Sequence, residues 1–563
     1  MRSSLRALLR LPPRTSPTRA QRSVRPWLEC LETRLVPSAD FMQNNLMSEF
    51  SQIANTAAAM ERALIASAHS LVSDLTQMTS TAAASAAGTV LQTNLVSDLP
   101  GVAAVTDANL VNPWGISESS TAPLTPFWIS DNGSGLSTLY SSVQGANPPA
   151  VTRNSLVVSI PTPVSPTGGT PTGTVFNTGA SAGAFKLPNG NPAVFLFATE
   201  DGTLVGWNGG NQATIVVDNS GNNFTNPDPN QQTGAVYKGL AIATSATPIF
   251  GSANPNTTAV LYAANFRSGQ IEVYGTDFKP VKLPAGAFAD PNLPKGYAPF
   301  NVQILNNKVY VTYAQQDATK HDDVAGPGHG FVDVFNLNGT PGVTKADGSV
   351  TQRLISRGVL DSPWGLAIAP PGFAGLSAPN GHSVLLVGNF GDGLIHAFDA
   401  STGDLLGTLK DPDGEPIQID GLWALKFGNG GAGGNANTLY FTAGLAGERH
   451  GLFGALTTAT PGSDEGQAEQ QKVTAALDVF QLDLQQLLTD ISSKASRTTI
   501  QQDAQTLNAD LIQLVRAELR FAADTIADMA PAGIHGHSGS ARGLEEAVDA
   551  LFADLGGHMH SQH

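Results

Sequence analysis

The stretch "HSVLLVGNFGDGLIHAFDASTG", residues 382–403, carries the fold of this chain in miniature. Val384 to Val387 form an apolar, β-branched run, and "GDG" supplies residues that accept φ > 0 in a tight hairpin turn. The segment "GLIHAFD" (393–399) then alternates with period 2. One hairpin cannot cover its own faces or edges, so such a unit needs copies of itself. The same plan recurs in "PFWISDNGSGLSTLYSS" (126–142), "AVFLFATEDGTLVGWN" (193–208), "AVLYAANFRSGQIEVYGTDF" (259–278), "NKVYVTYAQQDA…GFVDVFNLNG" (307–339) and "NTLYFTAGLAGERHGLFGAL" (437–456). Short apolar strands precede most copies: "NPWGIS" (112–117), "YKGLAIA" (237–243), "APFNVQIL" (298–305), "SPWGLAIAP" (362–370) and "DGLWALKFG" (420–428). The second copy has a weaker counterpart, "TGTVFNT" (172–178).

Each unit offers three or four antiparallel strands, and radial repetition is the stable solution for such units. The fold class expected is mainly β, a six-bladed propeller over 90–460; the long insertion in the fourth copy leaves seven blades open. Alternation in "GLIHAFD" and "GQIEVYG" (269–275) predicts half-buried strands. "TNLVSDL" (93–99) is expected to close the ring by adding an N-terminal strand to the last blade.

Composition agrees. Hydrophobic residues make up 41%, ample for a core, but charged residues only 13%, with 59 Gly and 36 Pro among 563 residues. That balance suits an extracellular all-β protein better than a cytosolic helical enzyme. The net charge of −16 conceals an asymmetry, because residues 1–34 hold eight arginines against Glu29 and Glu32. Taking these from the totals of 30 basic and 46 acidic residues leaves 22 and 44, a net −22. A body this acidic repels phosphate backbones and disfavours nucleic acid as a partner. Cys30 is the single cysteine, so no internal disulfide, Cys-based metal site or Cys nucleophile is expected. No run approaches the length of a transmembrane segment.

The flanks read differently. Residues 1–39 form a basic leader expected to be disordered; its only apolar run, Ala7 to Leu11, is interrupted by Arg10 and lacks a Sec-type core. Over 40–88 an amphipathic helix is predicted, with Leu46, Phe50, Ile53, Ala57, Met60 and Leu64 in heptad register. A helical hairpin is predicted over 465–530, followed by a short helix and a His-rich tail over 531–563. That tail holds His535, His537, His558, His560 and His563, and reads as a zinc or nickel scavenger or a disordered end. Apolar stripes cannot stay in water. The flanks therefore pack together as a bundle or dock on a partner, helix-mediated self-association included.

Two stretches resemble known families. "RPWLECLETRLVPSA" (25–39) resembles the "LExLExRxxPSA" element at the start of many surface or exported proteins of planctomycete-type bacteria. That likeness implies export to the extracellular space or cell surface. The repeats resemble NHL-type propellers. The run from "NLVSDLPGVAAVTDANLVNPWGIS" to "GLAGERHGLFGAL" is similar to a family of uncharacterised secreted bacterial propeller proteins, most specifically in "KHDDVAGPGHGFVDVF" and "NFGDGLIHAFD". The resemblance implies fold and location and assigns no chemistry.

Chemistry has two candidate seats. In "KHDDVAGPGHG", His321, Asp322, Asp323 and His329 offer imidazoles and carboxylates within one bent loop, a set able to hold Ca²⁺ or Zn²⁺. Asp322 and Asp323 bonding the loop's own amides is the simpler account. The second set lies at equivalent hairpins: Asp131, Asn132, Glu200, Asp201, Asn265, Asn389 and Asp392. These residues suit αL turn positions. Alternatively they form an axial ring of oxygen ligands, which resembles calcium-dependent lactonase-type propellers. No G-x-S-x-G, Walker loop or H-E-x-x-H is present, and "GNGGAGGNAN" (428–437) reads as a flexible inter-strand loop. Two functional readings follow. The preferred one is an exported binding or scaffold module for a cell-surface protein or glycan; the other is a Ca²⁺-dependent lactonase-type hydrolase with its site at the channel mouth.

Overall fold

In the computed structural model, which describes residues 88–459 except Asp413 together with Gln486, Thr506 and Leu507, the repeats become six blades. Blade 1 runs Pro113–Ser117, Phe127–Asp131, Leu136–Ser142, Val151–Ser159. Blade 2 runs Pro171–Phe176, Phe195–Thr199, Thr203–Trp207, Thr214–Asp218. Blade 3 has three strands, Tyr237–Thr244, Ala259–Asn265 and Gln270–Tyr274. Blade 4 runs Tyr297–Leu305, Lys308–Gln315, Phe331–Phe335, Arg353–Ser356, and blade 5 Pro363–Ile368, Val384–Asn389, Ile395–Asp399, Leu405–Thr408. Blade 6 holds Leu422–Phe427, Leu439–Ala443 and Leu452–Thr458. The insertion of the fourth copy folds as a two-stranded ribbon, Val343–Thr344 with Val350–Thr351, and adds no seventh blade.

The first strand of each blade touches the first strand of the next, and Leu422–Phe427 returns to Pro113–Ser117, so the ring is closed. Val90–Ser97 supplies the outer strand of blade 6. It pairs antiparallel with Leu452–Thr458, Val90 opposite Thr458 and Ser97 opposite Leu452. The expected closing strand is thus present and begins three residues earlier than its sequence pattern suggested.

Stacking of blades on both faces corrects one expectation. All five residues of Ile395–Asp399 are buried, not half of them, because one face meets the preceding blade and the other the next. Alternation within a blade therefore sorts side chains between two neighbours rather than between core and water.

The inner strands share a second feature. Each breaks register at one place: after Pro113, Pro171, Tyr237, Pro299, Pro363 and Leu422. Such a bulge re-aims the inserted side chain. Here the inserted residues are Trp114, Thr172, Lys238, Phe300, Trp364 and Trp423. Four of the residues that follow are glycines, at 115, 173, 239 and 365. A Cβ on Gly173 would lie 2.3 Å from Leu240 N, and one on Gly239 2.4 Å from Asn301 Oδ1. Bare backbone lets neighbouring inner strands approach closely enough to close a small ring.

The predicted 1–39 leader and 40–88 helix lie outside the described residues apart from Gly88, as does the 531–563 segment. Of the 465–530 hairpin only Gln486, Thr506 and Leu507 are described, each of them helical. Among the described residues no helix is long and apolar enough to cross a membrane.

Candidate functional site

The bulged side chains meet at the axis. Trp114 stacks on Trp423 with ring centroids 3.5 Å apart, and Trp364 stands edge-on to both at 6.1 and 5.9 Å. Phe300 packs 5.8 Å from Trp423. Lys238 Nζ sits over the Trp114 ring, 5.1 Å from its centroid, a cation–π contact in a desolvated place. Thr172 turns its hydroxyl to the Tyr237 carbonyl at 2.8 Å. The channel is thereby plugged by aromatic rings and one lysine.

A second layer lies at the hairpins. Asn132, Glu200, Phe266, Phe390 and Gly444 each donate a backbone N–H to the carbonyl just before their own inner strand, of Asn112, Thr170, Val236, Ser362 and Gly421 in turn. This shared bond places the five residues at equivalent positions around the mouth. Phe390 stacks on Trp423 at 4.0 Å, tying the layers together. In blade 4 the first hairpin continues as Tyr297–Ala298 against Ala314–Gln315, which lifts the 316–330 loop over the mouth.

Polar groups from five blades join across this layer. Trp423 Nε1 donates to Asn112 Oδ1 at 3.1 Å, which fixes the Asn112 amide so that its Nδ2 donates to Glu448 at 2.7 Å and to Asn132 Oδ1 at 3.4 Å. Asn132 Nδ2 donates to Glu200 at 2.8 Å. The other Glu200 oxygen pairs with Lys238 Nζ, which also lies 3.0 Å from Asp322 Oδ1. His321 Nδ1 reaches the same Asp322 oxygen at 2.9 Å. Glu448 is presented by a tight turn in which Ala446, Gly447 and itself are all left-handed, with φ of 55°, 62° and 69°. Backbone strain of this kind persists only where its surroundings impose it. Ala446 N bonded to Asp420 at 3.0 Å helps impose it here.

Electrostatics follow from burial. Burial alone would lower the Lys238 pKa, but the Glu200 and Asp322 charges outweigh it and hold the amine protonated. Burial works against ionised Asp322, yet the His321 hydrogen bond and the Lys238 charge keep its pKa well below the usual carboxylate range. Glu448 is pushed up to about 7, first by burial and then by the Glu200 charge, against the pull of Lys238 and Asn112.

The two sequence-derived sets divide. Glu200 and Asn132 from the hairpins meet His321 and Asp322 from the loop, and Glu200, His321 and Asp322 offer ligand atoms within 4.8 Å of one another. Most of the others bond within their local structure. Asp201 accepts Thr170 N at 2.9 Å, and burial pushes its pKa up to about 6. Asn265 bonds Glu272 at 2.7 Å, Asn389 donates to Val359 O at 2.8 Å, and Asp392 accepts Leu394 N at 3.0 Å. Asp131 is wholly buried, and burial raises its pKa well above normal. His329 Nδ1 donates to the Val324 carbonyl at 2.8 Å within its own loop, and burial raises the Asp323 pKa.

Two local expectations change. The left-handed hairpin positions are Gly135, Gly202, Gly269 and Gly393, because glycine takes them without steric cost; Asp131, Asn265 and Asn389 end strands, and Asn132, Glu200, Asp201 and Asp392 occupy turn positions without positive φ. The 317–323 loop is ordered by Asp317, which accepts the amides of His321 at 2.9 Å and Asp322 at 3.3 Å, leaving Asp322 free to face Lys238. The "GNGGAGGNAN" loop does join two strands, and Asn429 organises it by accepting Gly431 N and Gly433 N, each at 3.0 Å.

Sequence reasoning passed over Lys238, Asn112 and Glu448. The signal for Lys238 was available, since it is the one charge in the apolar strand "YKGLAIA" (237–243).

No family model matches the chain. Among solved structures it is similar to an α-L-arabinofuranosidase of Fusarium graminearum, with 10% identity, 65% of this chain and 97% of that chain covered, and a TM-score of 0.36. It is also similar to the PQQ-bound aldose sugar dehydrogenase of Streptomyces coelicolor, with 14% identity, 66% and 100% covered, and a TM-score of 0.34. Likeness of that size says nothing of activity. Among curated proteins the chain is similar to proteins of Acanthamoeba polyphaga mimivirus. Uncharacterized protein R648 is 30% identical over 376 residues, covering 64% of this chain and 78% of its relative. Uncharacterized protein L690 is 31% identical over 374 residues, covering 64% and 84%. By that extent of shared sequence, the chain belongs to the family that contains these two mimivirus proteins.

Proposed function

We propose that the chain is an exported or cell-surface binding module that engages a glycan or protein group at the mouth of its propeller channel. The observation that carries this reading is the position of Lys238. Its ammonium already bridges Glu200 and Asp322 above an axis filled with aromatic rings. The mouth thus offers a prebuilt set of donors and acceptors, and the space between the two carboxylates holds a lysine ammonium. Held protonated, Lys238 is no amine nucleophile at neutral pH. For export, the support is the "LETRLVPSA" element (31–39) and the low share of charged residues.

The second reading, a Ca²⁺-dependent lactonase-type hydrolase, is favoured by the proximity of Glu200, His321 and Asp322. Elemental analysis of the purified protein, with thermal unfolding in EDTA and then in Ca²⁺ or Zn²⁺, separates the two. The binding reading expects no stoichiometric metal and no shift in Tm. A stoichiometric ion with a shift of several degrees would replace it with the hydrolase. Surface labelling of intact cells tests location, and a wholly cytoplasmic signal would sink export.

A further inference from the structure

We propose that the Lys238 ammonium captures a carboxylate of the ligand, and that Asp322 is a built-in stand-in for that carboxylate, displaced when the ligand arrives. This rests on the mouth being a binding site and names the group it takes, the acid of a uronic sugar or of a protein C-terminus.

The first support is that the two partners of Lys238 are unlike. Glu200 is 10% exposed, and its second oxygen is held by Asn132 Nδ2 at 2.8 Å, so it is a fixed counter-ion. Asp322 is 65% exposed and comes from the loop that blade 4 lifts over the mouth. The place its Oδ1 takes on Nζ, 3.0 Å away, is therefore approached from water, although Lys238 itself is only 2% exposed. A bond to a carboxylate so well solvated is weak and exchangeable. The rings of Trp114 and Phe266 stand 5.1 and 5.9 Å from the same ammonium, which leaves the Asp322 side as the way in.

The second support is independent, because the loop does not need the Lys238 bond for its shape. Asp317 N donates to the Asp322 carbonyl at 2.8 Å, and the Asp317 carboxylate accepts His321 N at 2.9 Å and Thr319 Oγ1 at 2.7 Å. Gly326 N is held by Asp361 at 2.7 Å. Asp322 can leave Nζ without unravelling what carries it. Charge then selects the newcomer. A carboxylate replacing a carboxylate keeps the balance with Lys238 and Glu200, whereas a neutral group leaves the buried ammonium short of a counter-ion. A dianion adds a charge beside Glu200 and Glu448.

The test is titration calorimetry on the full chain at low salt, wild type and Asp322→Ala, with galacturonate, N-acetylglycine, galactose and inorganic phosphate. Asp322→Ala is expected to bind galacturonate or N-acetylglycine at least tenfold tighter than the wild type, since the internal competitor is gone. A residue that helps hold the ligand would give the opposite sign. Galactose and phosphate should bind at least tenfold more weakly than the better carboxylate, whose affinity should fall as NaCl is added. Preference for galacturonate assigns the acid to a glycan, and preference for N-acetylglycine to a protein C-terminus. Melting curves check that the variant is folded, and Asp322→Asn, which keeps the side-chain size, should shift affinity in the same direction. Equal or tighter binding by the wild type would overturn the stand-in. Galactose bound as well as galacturonate would overturn carboxylate capture while leaving the mouth a binding site. No carboxylate bound by the wild type at millimolar concentration overturns the capture, even where Asp322→Ala binds one. A stoichiometric metal ion lost in Asp322→Ala would overturn the binding reading itself.

Discussion

Lys238 Nζ lies 3.0 Å from Asp322 Oδ1, joining an inner-strand lysine of blade 3 to a loop carboxylate 84 residues later in blade 4. The lysine side chain is 2% exposed and its other partner, Glu200, only 10%. Removing one member of so buried a pair strands the other charge. Lys238→Met should therefore destabilise the propeller by about 3–5 kcal/mol in urea unfolding. The double variant Lys238→Met with Glu200→Gln should recover part of that loss. A single variant as stable as the wild type would show that the pair contributes nothing.

The glycines after the bulges give a steric prediction. Gly173→Ala places a methyl 2.3 Å from Leu240 N, a backbone atom unable to swing aside. The inner strands of blades 2 and 3 must then part, at a cost of about 1–3 kcal/mol or more. Thermal unfolding reads this directly, and an unchanged Tm would mean that ring closure tolerates a wider spacing.

His396 makes a pH prediction. Burial lowers its pKa from 6.5 to about 4 in the folded protein, where it is 3% exposed and bonded to Thr408 at 2.9 Å. Above pH 6.5 it is neutral folded or unfolded, and its contribution is intact. As pH falls from 6.5 towards 4 only the unfolded chain takes up the proton, so stability is lost, by up to about 3 kcal/mol. Comparing urea unfolding at pH 7 and pH 5, His396→Gln should show a smaller decline than the wild type. Parallel declines would assign the acid sensitivity elsewhere.

Closure by the N-terminal strand is the fourth test. Leu95 is fully buried, and Leu95→Ala should cost about 2–5 kcal/mol. A chain beginning at Gly101 loses Val90–Ser97 and leaves Leu452–Thr458 as a bare edge, which invites association. Size-exclusion chromatography should find that chain aggregated and one beginning at Gly88 monodisperse. Two monodisperse chains would show the closing strand to be dispensable.

Much of this fold was legible because a blade is a local object. Strand, turn and strand lie within about twenty residues in "HSVLLVGNFGDGLIHAFDASTG" (382–403), and the φ > 0 glycines that turn the hairpins are written at regular places. The candidate site was legible only in pieces. Glu200, His321 and Asp322 stood out as carboxylates and imidazole, but on separate stretches with nothing to pair them. Lys238 and Glu448 were hidden, one in an apolar strand and the other in a glycine-rich turn.

By itself the sequence determined the propeller, the order of its blades and the strand that closes them, since hydrophobic period and turn chemistry act between near neighbours in the chain. That the insertion of the fourth copy makes a ribbon and not a seventh blade was decided by the tertiary structure. Only the tertiary structure decided which side chains face the axis. Each inner strand gains a bulge where it is pressed against the next, and that break shifts the alternation from which a side chain's direction would be read. The mouth exists because that packing turns Lys238 inward, and because blade 4's longer hairpin carries Asp322 to meet it.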